Sequence, residues 1–260
     1  MKKLNLVSLM VVFVLSLTVF AACSKDDKDN SSKGSGKQTY KVGVDASYPP
    51  FEWKENGEYK GIDIDLIREI AKRGGFEIEI QSMDFKGIIP ALQSKQLDIA
   101  IAGMTITDER RQVLDFSDPY FDAGLSIVVG KNNEDVNGPD DLANKTVAVK
   151  KGTFGATYAT ENLEPLGAKV IQFDSSATMF EEVLAGRADA LIEDYPVIAY
   201  AIVDNGLDLK IVGERLNEAQ YGIGTLKGSN PELVEKINNA LKEMREDGTY
   251  QEIIDKYLKE

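Results

Sequence analysis

Two stretches of the chain follow one plan: QSMDFKGIIPALQSKQLDIAIAG at residues 81–103 and IQFDSSATMFEEVLAGRADALIED at residues 171–194. Each predicts a strand, an aspartate, a helix, a second aspartate and another strand. The aspartates are 14 residues apart in the first stretch (Asp84 and Asp98) and 15 apart in the second (Asp174 and Asp189). Chance is the alternative, because αβ units share turn chemistry. As a repeat, the pattern predicts two lobes built on the same αβ plan, with a ligand crevice where strand ends meet.

The rest of the chain from Tyr40 also alternates strands and helices. The predicted strands are YKVGV, FEIEIQ, LDIAIAG, LSIVVG, TVAVK, AKVIQF and ADALIED. The predicted helices are DIDLIREIAKRGG, KGIIPALQSKQ, one from about Thr153, ATMFEEVLAG, PVIAYAIVDNG and ELVEKINNALKEMREDG. Strands separated by helices predict an α/β fold with crossover units and mainly parallel sheets.

Composition excludes several classes of function. The 260 residues carry a formal charge of −13 and are 43% hydrophobic, so the chain can bury a core and has no nucleic-acid-binding signature. It has no histidine, which excludes a Ser-His-Asp triad, a Cys-His dyad and a histidine metal site. The single cysteine, Cys23, excludes an internal disulfide.

The N-terminus predicts export. A basic start, the apolar stretch at residues 6–20 and the small residues before Cys23 are typical of a secretory signal at residues 1–22. A retained membrane span is the alternative, since the apolar stretch nearly reaches spanning length. Ala21, Ala22 and Cys23 resemble a bacterial lipobox, although Phe20 stands where leucine is usual. We therefore expect Cys23 to be lipidated.

Residues 24–39 contain no apolar side chain, so residues 23–39 are predicted to form a lipidated, disordered tether. The tether would hold the protein at the outer face of the cell membrane, or on the periplasmic side if a second membrane is present.

Several segments together carry a resemblance to a known family. They are VGVDASYPPFEW (42–53), GIDIDL (61–66), MDFKGIIPALQSKQLDIAIAGMTITDERRQVLDFSDPYF (83–121), TVAVKKGT (146–153), ADALIEDYP (188–196) and YGIG (221–224). In this order they resemble the family 3 extracellular solute-binding proteins of polar amino acid ABC transporters. Residues 83–93 and 102–110 are most similar to the glutamine-binding branch.

The resemblance implies a two-lobe, periplasmic-binding-protein-like fold of type II with two crossover strands as its hinge. Lobe 1 would comprise residues 40–121 and 222–260, and lobe 2 residues 126–219. The crossings would lie near Tyr120–Ser126 and Glu218–Gly222. It implies that the lobes close on one free amino acid.

The resemblance places the carboxylate of that amino acid against Gly103, Thr105 and Arg110. A guanidinium can give a carboxylate two parallel hydrogen bonds, and glycine leaves its backbone open to approach. The alternative for Arg110 is a solvated arginine in a first helical turn, which is also how Arg111 is interpreted. Thr153 and the backbone N–H of Phe154 would assist at a helix N-terminus.

Asp194 matches the acid of the second lobe that binds the substrate ammonium. Its alternative role is the N-cap of the next helix. Glu193, beside it, departs from the glutamine-binding pattern. It could admit a cationic substrate or, in an enzyme on this scaffold, act as an acid.

The substrate side chain should meet Asp45, Lys150 and the rings of Tyr48 and Phe85. Asp45 and Lys150 complement a carboxamide with opposite polarity, and Lys150 disfavours an arginine or lysine ligand. The alternatives are a surface lysine and core aromatic rings.

These residues predict a non-enzymatic binding protein that delivers glutamine to the membrane subunits of an ABC permease. Glutamate, asparagine or a basic amino acid are alternative ligands, and a cyclohexadienyl-dehydratase-like enzyme or a receptor sensor domain are alternative functions. No cofactor, metal or nucleic-acid partner is expected, and the protein is predicted to be a monomer.

Overall fold

The computed structural model describes residues 37–258. The predicted signal peptide, the lipidated Cys23 and most of the predicted tether lie outside the described residues. The last tether residue, Thr39, already belongs to the first strand, so the folded chain begins slightly earlier than predicted. Within residues 37–258 no helix is both long and apolar enough to cross a membrane.

Lobe 1 is built on a five-stranded sheet of order β5-β1-β6-β15-β7. Its strands are β1 (Thr39–Val44), β5 (Glu77–Ser82), β6 (Ile99–Ala100), β7 (Leu114–Phe116) and β15 (Gly224–Leu226). A small antiparallel sheet adjoins it, formed by β2 (Ser47–Tyr48), β3 (Glu52–Glu55) and β4 (Glu58–Lys60). These three short strands were not predicted, because they lack an alternating apolar pattern.

Lobe 2 has a second five-stranded sheet of order β11-β10-β12-β9-β13. Its strands are β9 (Leu125–Gly130), β10 (Thr146–Lys150), β11 (Lys169–Phe173), β12 (Ala190–Asp194) and β13 (Leu209–Val212). Between the two sheets, β8 (Phe121–Asp122) pairs antiparallel with β14 (Gln220–Tyr221). The predicted two-lobe α/β architecture with a two-stranded hinge is therefore confirmed.

The prediction of mainly parallel sheets is wrong. In lobe 1, β1 runs parallel to β5 and β6, whereas β15 is antiparallel to β6 and β7. In lobe 2, β10 runs parallel to β11 and β12, whereas β9 is antiparallel to β12 and β13. The antiparallel members include β9 and β15, the strands that enter each sheet just after a hinge crossing, so they are not part of a local crossover unit.

Eight α-helices surround the sheets of the described chain. They are α1 (Ile62–Gly74), α2 (Phe85–Gln93), α3 (Asp108–Arg111), α4 (Phe154–Tyr158), α5 (Ser176–Leu184), α6 (Tyr195–Val203), α7 (Pro231–Glu246) and α8 (Thr249–Tyr257). α1 ends at Gly75, whose left-handed backbone (φ +70°) suits glycine. α7 begins after Asn230, whose side chain accepts the N–H of Leu233 at 3.1 Å. α7 packs on α1 and returns the chain to lobe 1.

The two aspartates that precede β6 and β12 make the same contact in each lobe. The Asp98 carboxylate accepts the N–H of Lys41 at 2.8 Å, and the Asp189 carboxylate accepts the N–H of Thr146 at 2.7 Å. Asp98 thus joins the start of β6 to the neighbouring strand β1, and Asp189 joins the start of β12 to the neighbouring strand β10. The spacing seen in the sequence corresponds to a structural repeat. The two lobes share one αβ plan.

Candidate functional site

A narrow cavity lies between the two lobes, and its walls come from both. It is lined by Tyr48, Phe85, Ala102, Gly103, Thr105, Arg110, Lys150, Thr153, Phe154 and Asp194. Nine of the eleven predicted ligand residues are among them. The other two, Asp45 and Glu193, lie directly behind the lining residues and contact them.

Gly103 occupies the turn after β6, where only glycine fits. Its φ is +52°, and a Cβ built there would lie 2.8 Å from Cε1 of Tyr48. Its N–H donates to Asp63 at 2.8 Å. The turn thus combines a left-handed backbone with close packing against an aromatic ring, which explains the glycine physically.

Arg110 is held by local backbone contacts. Thr107 caps α3 by accepting the N–H of Arg110 at 3.2 Å. The guanidinium donates to the Thr105 carbonyl at 2.7 Å and, across the cleft, to the Gly152 carbonyl at 3.1 Å. Burial lowers the pKa of Arg110 to about 10, so the group remains cationic at neutral pH. The alternative of a solvated arginine does not hold for Arg110, which is only 8% exposed.

Asp194 is the last residue of β12. Its carboxylate accepts hydrogen bonds from hydroxyl groups and does not cap the helix that follows. Its Oδ2 accepts from Tyr48 at 2.7 Å and from Tyr221 at 2.5 Å. Although Asp194 occupies the N-cap position of α6, its side chain makes no capping hydrogen bond. Burial raises the pKa of Asp194, and the two tyrosine hydroxyls oppose that rise. The capping alternative is thereby set aside.

Glu193 is not among the residues that line the cavity. Its Oε1 accepts the backbone N–H of Asp194 at 2.9 Å. The same oxygen lies 2.9 Å from the Tyr48 hydroxyl, whose one hydrogen goes either to Glu193 or to Asp194 Oδ2, which is nearer at 2.7 Å. Burial, followed by the charge of Asp194, raises the pKa of Glu193 to about 7. These contacts make Glu193 a support for Tyr48 and Asp194. Its direct contact with the ligand stays a prediction.

Lys150 and Asp45 form a buried ion pair across the cleft, with 2.6 Å between Nζ and Oδ2. Asp45 extends from the end of β1 in lobe 1, and Lys150 is the last residue of β10 in lobe 2. The ammonium lies 4.3 Å from the centre of the Tyr48 ring and 5.9 Å from that of Phe85. Lys150 is 2% exposed, so it is not a surface lysine.

Thr153 uses its donors within its own lobe. Its hydroxyl donates to the Lys150 carbonyl at 2.7 Å and accepts the N–H of Ala156 at 3.2 Å, which caps α4. Its backbone N–H also points to the Lys150 carbonyl, at 3.3 Å. A hydroxyl has one hydrogen to donate, so Thr153 positions β10 and α4 and leaves the N–H of Phe154 as the predicted donor of this turn.

The sequence of residues 40–260 matches the bacterial extracellular solute-binding proteins, family 3. This match covers both lobes and the hinge. The chain belongs to this family.

Within the family, this chain is 35% identical to the arginine-binding extracellular protein ArtP of Bacillus subtilis, with 99% of this chain and 98% of ArtP covered. An ancestral arginine-binding protein bound to arginine has a similar structure, with a TM-score of 0.80 and 46% identity, over 85% of this chain and 99% of that one. The same kind of ancestral protein bound to glutamine gives a TM-score of 0.79 and 46% identity over 86% and 99%. We expected the chain to be most similar to glutamine-binding proteins. These relatives are named for arginine, so the comparisons do not single out the glutamine-binding proteins.

Two residues of this family 3 protein touch the site but were not predicted from the sequence. Tyr221 reaches Asp194 from the second hinge strand, and Asp63 reaches Gly103 from the first turn of α1. Tyr221 lies in the YGIG segment, which carried part of the family resemblance. Asp63 lies in GIDIDL, where an acidic residue in a first helical turn was reason enough for its presence.

Proposed function

We propose that this family 3 protein captures L-glutamine between its two lobes and delivers it to an ABC permease. The observation that carries the choice of glutamine is the buried Lys150–Asp45 pair beside the rings of Tyr48 and Phe85. Family membership supports amino-acid capture for ABC import, and the chemistry of the cavity supports the particular amino acid.

The α-carboxylate of the ligand would bind to Arg110, with further donors from the Thr105 and Phe154 backbone. The α-ammonium would bind to Asp194, whose Oδ2 already accepts two hydroxyls. Arginine and carboxylate can form a bidentate, charge-assisted pair. These contacts recognise any free L-amino acid, so they do not determine which side chain is preferred.

The side chain would be selected by Lys150 and Asp45. A carboxamide offers N–H groups to Asp45 and a carbonyl to Lys150, while neither charge is left without a partner. A guanidinium would have to approach a buried ammonium, and two like charges 4 Å apart repel by about 4 kcal/mol near a protein surface. Glutamate would place a second carboxylate near Asp45. Both charged ligands therefore meet a repulsive element that glutamine avoids.

The relatives named for arginine make the basic amino acid the main competitor. The test is calorimetric titration of L-glutamine, L-arginine, L-glutamate and L-asparagine on a soluble form lacking residues 1–36. We expect glutamine to bind with micromolar affinity or better, about −8 kcal/mol. Tighter binding of arginine than of glutamine would refute the assignment of glutamine while leaving family membership intact.

A matched pair of variants tests the role of Lys150. Lys150→Gln should weaken glutamine binding about tenfold, the effect of 1.4 kcal/mol, and narrow the gap to arginine. Lys151→Gln is the control, because Lys151 is more exposed and pairs with Asp174 at 3.2 Å. Equal changes in the two variants would mean that Lys150 does not read the ligand.

We also propose that Cys23 carries the lipid that holds the protein at the outer face of the cell membrane. The support is the lipobox-like Ala21-Ala22-Cys23 after an apolar stretch. More than one acyl chain is needed for stable anchoring, which a lipidated N-terminal cysteine would provide. Cys23→Ser should release the protein into the soluble fraction without changing its affinity. A variant that stays with washed membranes would rule out this anchor.

An enzymatic role is not proposed. The residue suited to be an acid, Glu193, has its Oε1 bound by Tyr48 and by its neighbour's N–H. These contacts give Glu193 a role in supporting the cavity wall. Binding without turnover is the expected outcome when L-glutamine is incubated with the protein and followed by amino-acid analysis.

A further inference from the structure

Two acidic residues are buried together beneath the lobe 1 wall of the cleft. Glu52 lies on β3 and Asp63 on the first turn of α1, and both are fully buried. Three of their four carboxyl oxygens, both of Glu52 and Oδ1 of Asp63, have no N–H or O–H partner among residues 37–258. Two buried carboxylates side by side would repel, whereas one proton held between them would satisfy two of these oxygens.

The surroundings place that proton on Glu52. Burial, then the charges of Asp63 and Asp45, raise the pKa of Glu52 well above its usual range, and only Lys150 opposes them. Burial raises the pKa of Asp63 to about 6, and the Gly103 amide and the Tyr120 hydroxyl oppose this rise. At neutral pH, Asp63 is therefore the anion and Glu52 the donor.

The remaining oxygen of Asp63 connects two functional regions. Oδ2 accepts the N–H of Gly103 at 2.8 Å and the hydroxyl of Tyr120 at 2.9 Å. Gly103 belongs to the cleft wall. Tyr120 is the residue before the first hinge strand, and its N–H donates to the carbonyl of Tyr221 on the second hinge strand at 2.9 Å.

We propose that Glu52 and Asp63 are a singly protonated carboxyl pair that positions the Gly103 turn and fixes it to the hinge. Glu52 acts only through Asp63, and neither residue touches the ligand. The proposal rests on the proposed function only for the identity of the molecule that the cleft binds.

The protonation state is tested without any ligand, by urea unfolding of wild type, Glu52→Gln and Glu52→Ala from pH 5 to pH 9. Because the folded protein holds the Glu52 proton more tightly than the unfolded chain, wild type should lose stability as the pH rises above about 4.5. The amide side chain of the Glu52→Gln variant keeps an N–H donor for Asp63 and cannot ionise. Glu52→Gln should therefore have the higher urea midpoint at pH 8 and a flatter pH profile, while Glu52→Ala should be less stable than Glu52→Gln at every pH. A Glu52→Gln profile parallel to that of wild type overturns the proposal.

The positioning role is tested by affinity for L-glutamine and L-arginine. Asp63→Asn should weaken the binding of whichever amino acid binds by about tenfold or more, the loss typical of a hydrogen bond to a charged group. The control is Asp65→Asn on the same helix, since Asp65 binds Lys256 and Tyr257 at the surface. Equal affinities in the two variants overturn the positioning role. If neither amino acid binds wild type, the proposed function fails, and the pH profile of Glu52→Gln still decides the carboxyl pair.

Discussion

The two walls of the cleft are built differently. In lobe 1, Arg110 is held by the carbonyl of Thr105, and Gly103 is held by Asp63, so these groups find partners within their own lobe. In lobe 2, Lys150 finds its partner in Asp45 across the cleft, and Asp194 finds its partners in Tyr48 and the hinge.

This difference indicates how the cleft works. The lobe 1 wall can keep most of its shape when the cleft is open, because the bonds of Arg110 to Thr105 and of Gly103 to Asp63 stay within lobe 1. The bond of Arg110 to the Gly152 carbonyl, at 3.1 Å, crosses the cleft and would be lost on opening. When the cleft opens, Lys150 separates from Asp45 and Asp194 from Tyr48, and water takes the place of these partners. A ligand that supplies matching groups would replace or complete these contacts and shift the equilibrium towards the closed state.

The largest expected effect is the loss of the charges that the ligand's own charges would meet. Arg110→Ala in lobe 1 and Asp194→Ala in lobe 2 each remove one partner of a buried charge pair, which typically costs about 2–5 kcal/mol. Calorimetry should register a loss of roughly 30-fold to several-thousand-fold in affinity.

Arg111→Ala is the control for Arg110→Ala. Arg111 is exposed, with its guanidinium carbon 5.9 Å from the centre of the Phe116 ring and outside the cavity lining. Its removal should leave affinity near that of wild type. If the two arginine variants lose affinity equally, the carboxylate site has been placed on the wrong residue.

A smaller effect tests whether the lobe 1 wall is preformed. Gly103→Ala would place a methyl group 2.8 Å from the Tyr48 ring at a φ of +52°. Overpacking of this kind costs about 1–3 kcal/mol, so affinity should fall roughly tenfold to a hundredfold. Small-angle scattering with and without L-glutamine would report whether the variant still closes.

Gly57→Ala separates the effect of backbone conformation from that of the contact. Gly57 also has a positive φ, +86°, but a Cβ there meets no atom within 4 Å. This variant should lose stability and keep its affinity. An equal loss of affinity in both glycine variants would attribute the effect to strain elsewhere, not to the wall beside Tyr48.

The lobe 1 wall was also the easier wall to predict from the sequence. Gly103, Thr105 and Arg110 lie within eight residues, so one turn and one short helix bring them together. The helix caps and the αβ repeat were equally local, as the matching contacts of Asp98 and Asp189 illustrate.

Contacts between distant segments could not be read in this way. Asp194 and Tyr221 are 27 residues apart, and Tyr48 and Glu193 are 145 residues apart. The alternation of apolar residues marks which side chains are buried, but it does not say which buried polar groups meet. The contact of Glu193 with Tyr48 and the contact of Asp63 with Gly103 join distant segments, so only the folded chain shows them.

Glu193, behind the lobe 2 wall, makes the stability of the protein depend on pH. Glu193 has a pKa raised from 4.5 to about 7, so its contribution to wild-type stability should fall as the pH rises from about 4.5 and level off above 7. Glu193→Gln keeps an oxygen for Tyr48 and for the Asp194 N–H but carries no charge. Urea unfolding at pH 8 should give this variant a gain on the order of 1–3 kcal/mol over wild type, and none at pH 4. Its preference between glutamine and arginine should not change. A changed preference would mean that Glu193 contacts the ligand after all.

The smallest effect distinguishes a structural hydroxyl from a ligand contact at Thr153. Its single hydroxyl hydrogen goes to the Lys150 carbonyl, and its oxygen caps α4. Thr153→Ala should therefore cost about 1 kcal/mol of stability, as the loss of an N-cap usually does, while Thr153→Ser should restore it. Affinity should fall only modestly in the alanine variant, because Lys150 would lose part of its support but the Phe154 N–H would remain. A loss of affinity in Thr153→Ala as large as that of Arg110→Ala, with full recovery in Thr153→Ser, would mean that the hydroxyl turns to the ligand on binding. In that case the lobe 2 wall rearranges when the cleft is filled. The difference between the lobe 1 wall, whose partners lie mostly in its own lobe, and the lobe 2 wall, whose partners come from outside its lobe, would then be larger.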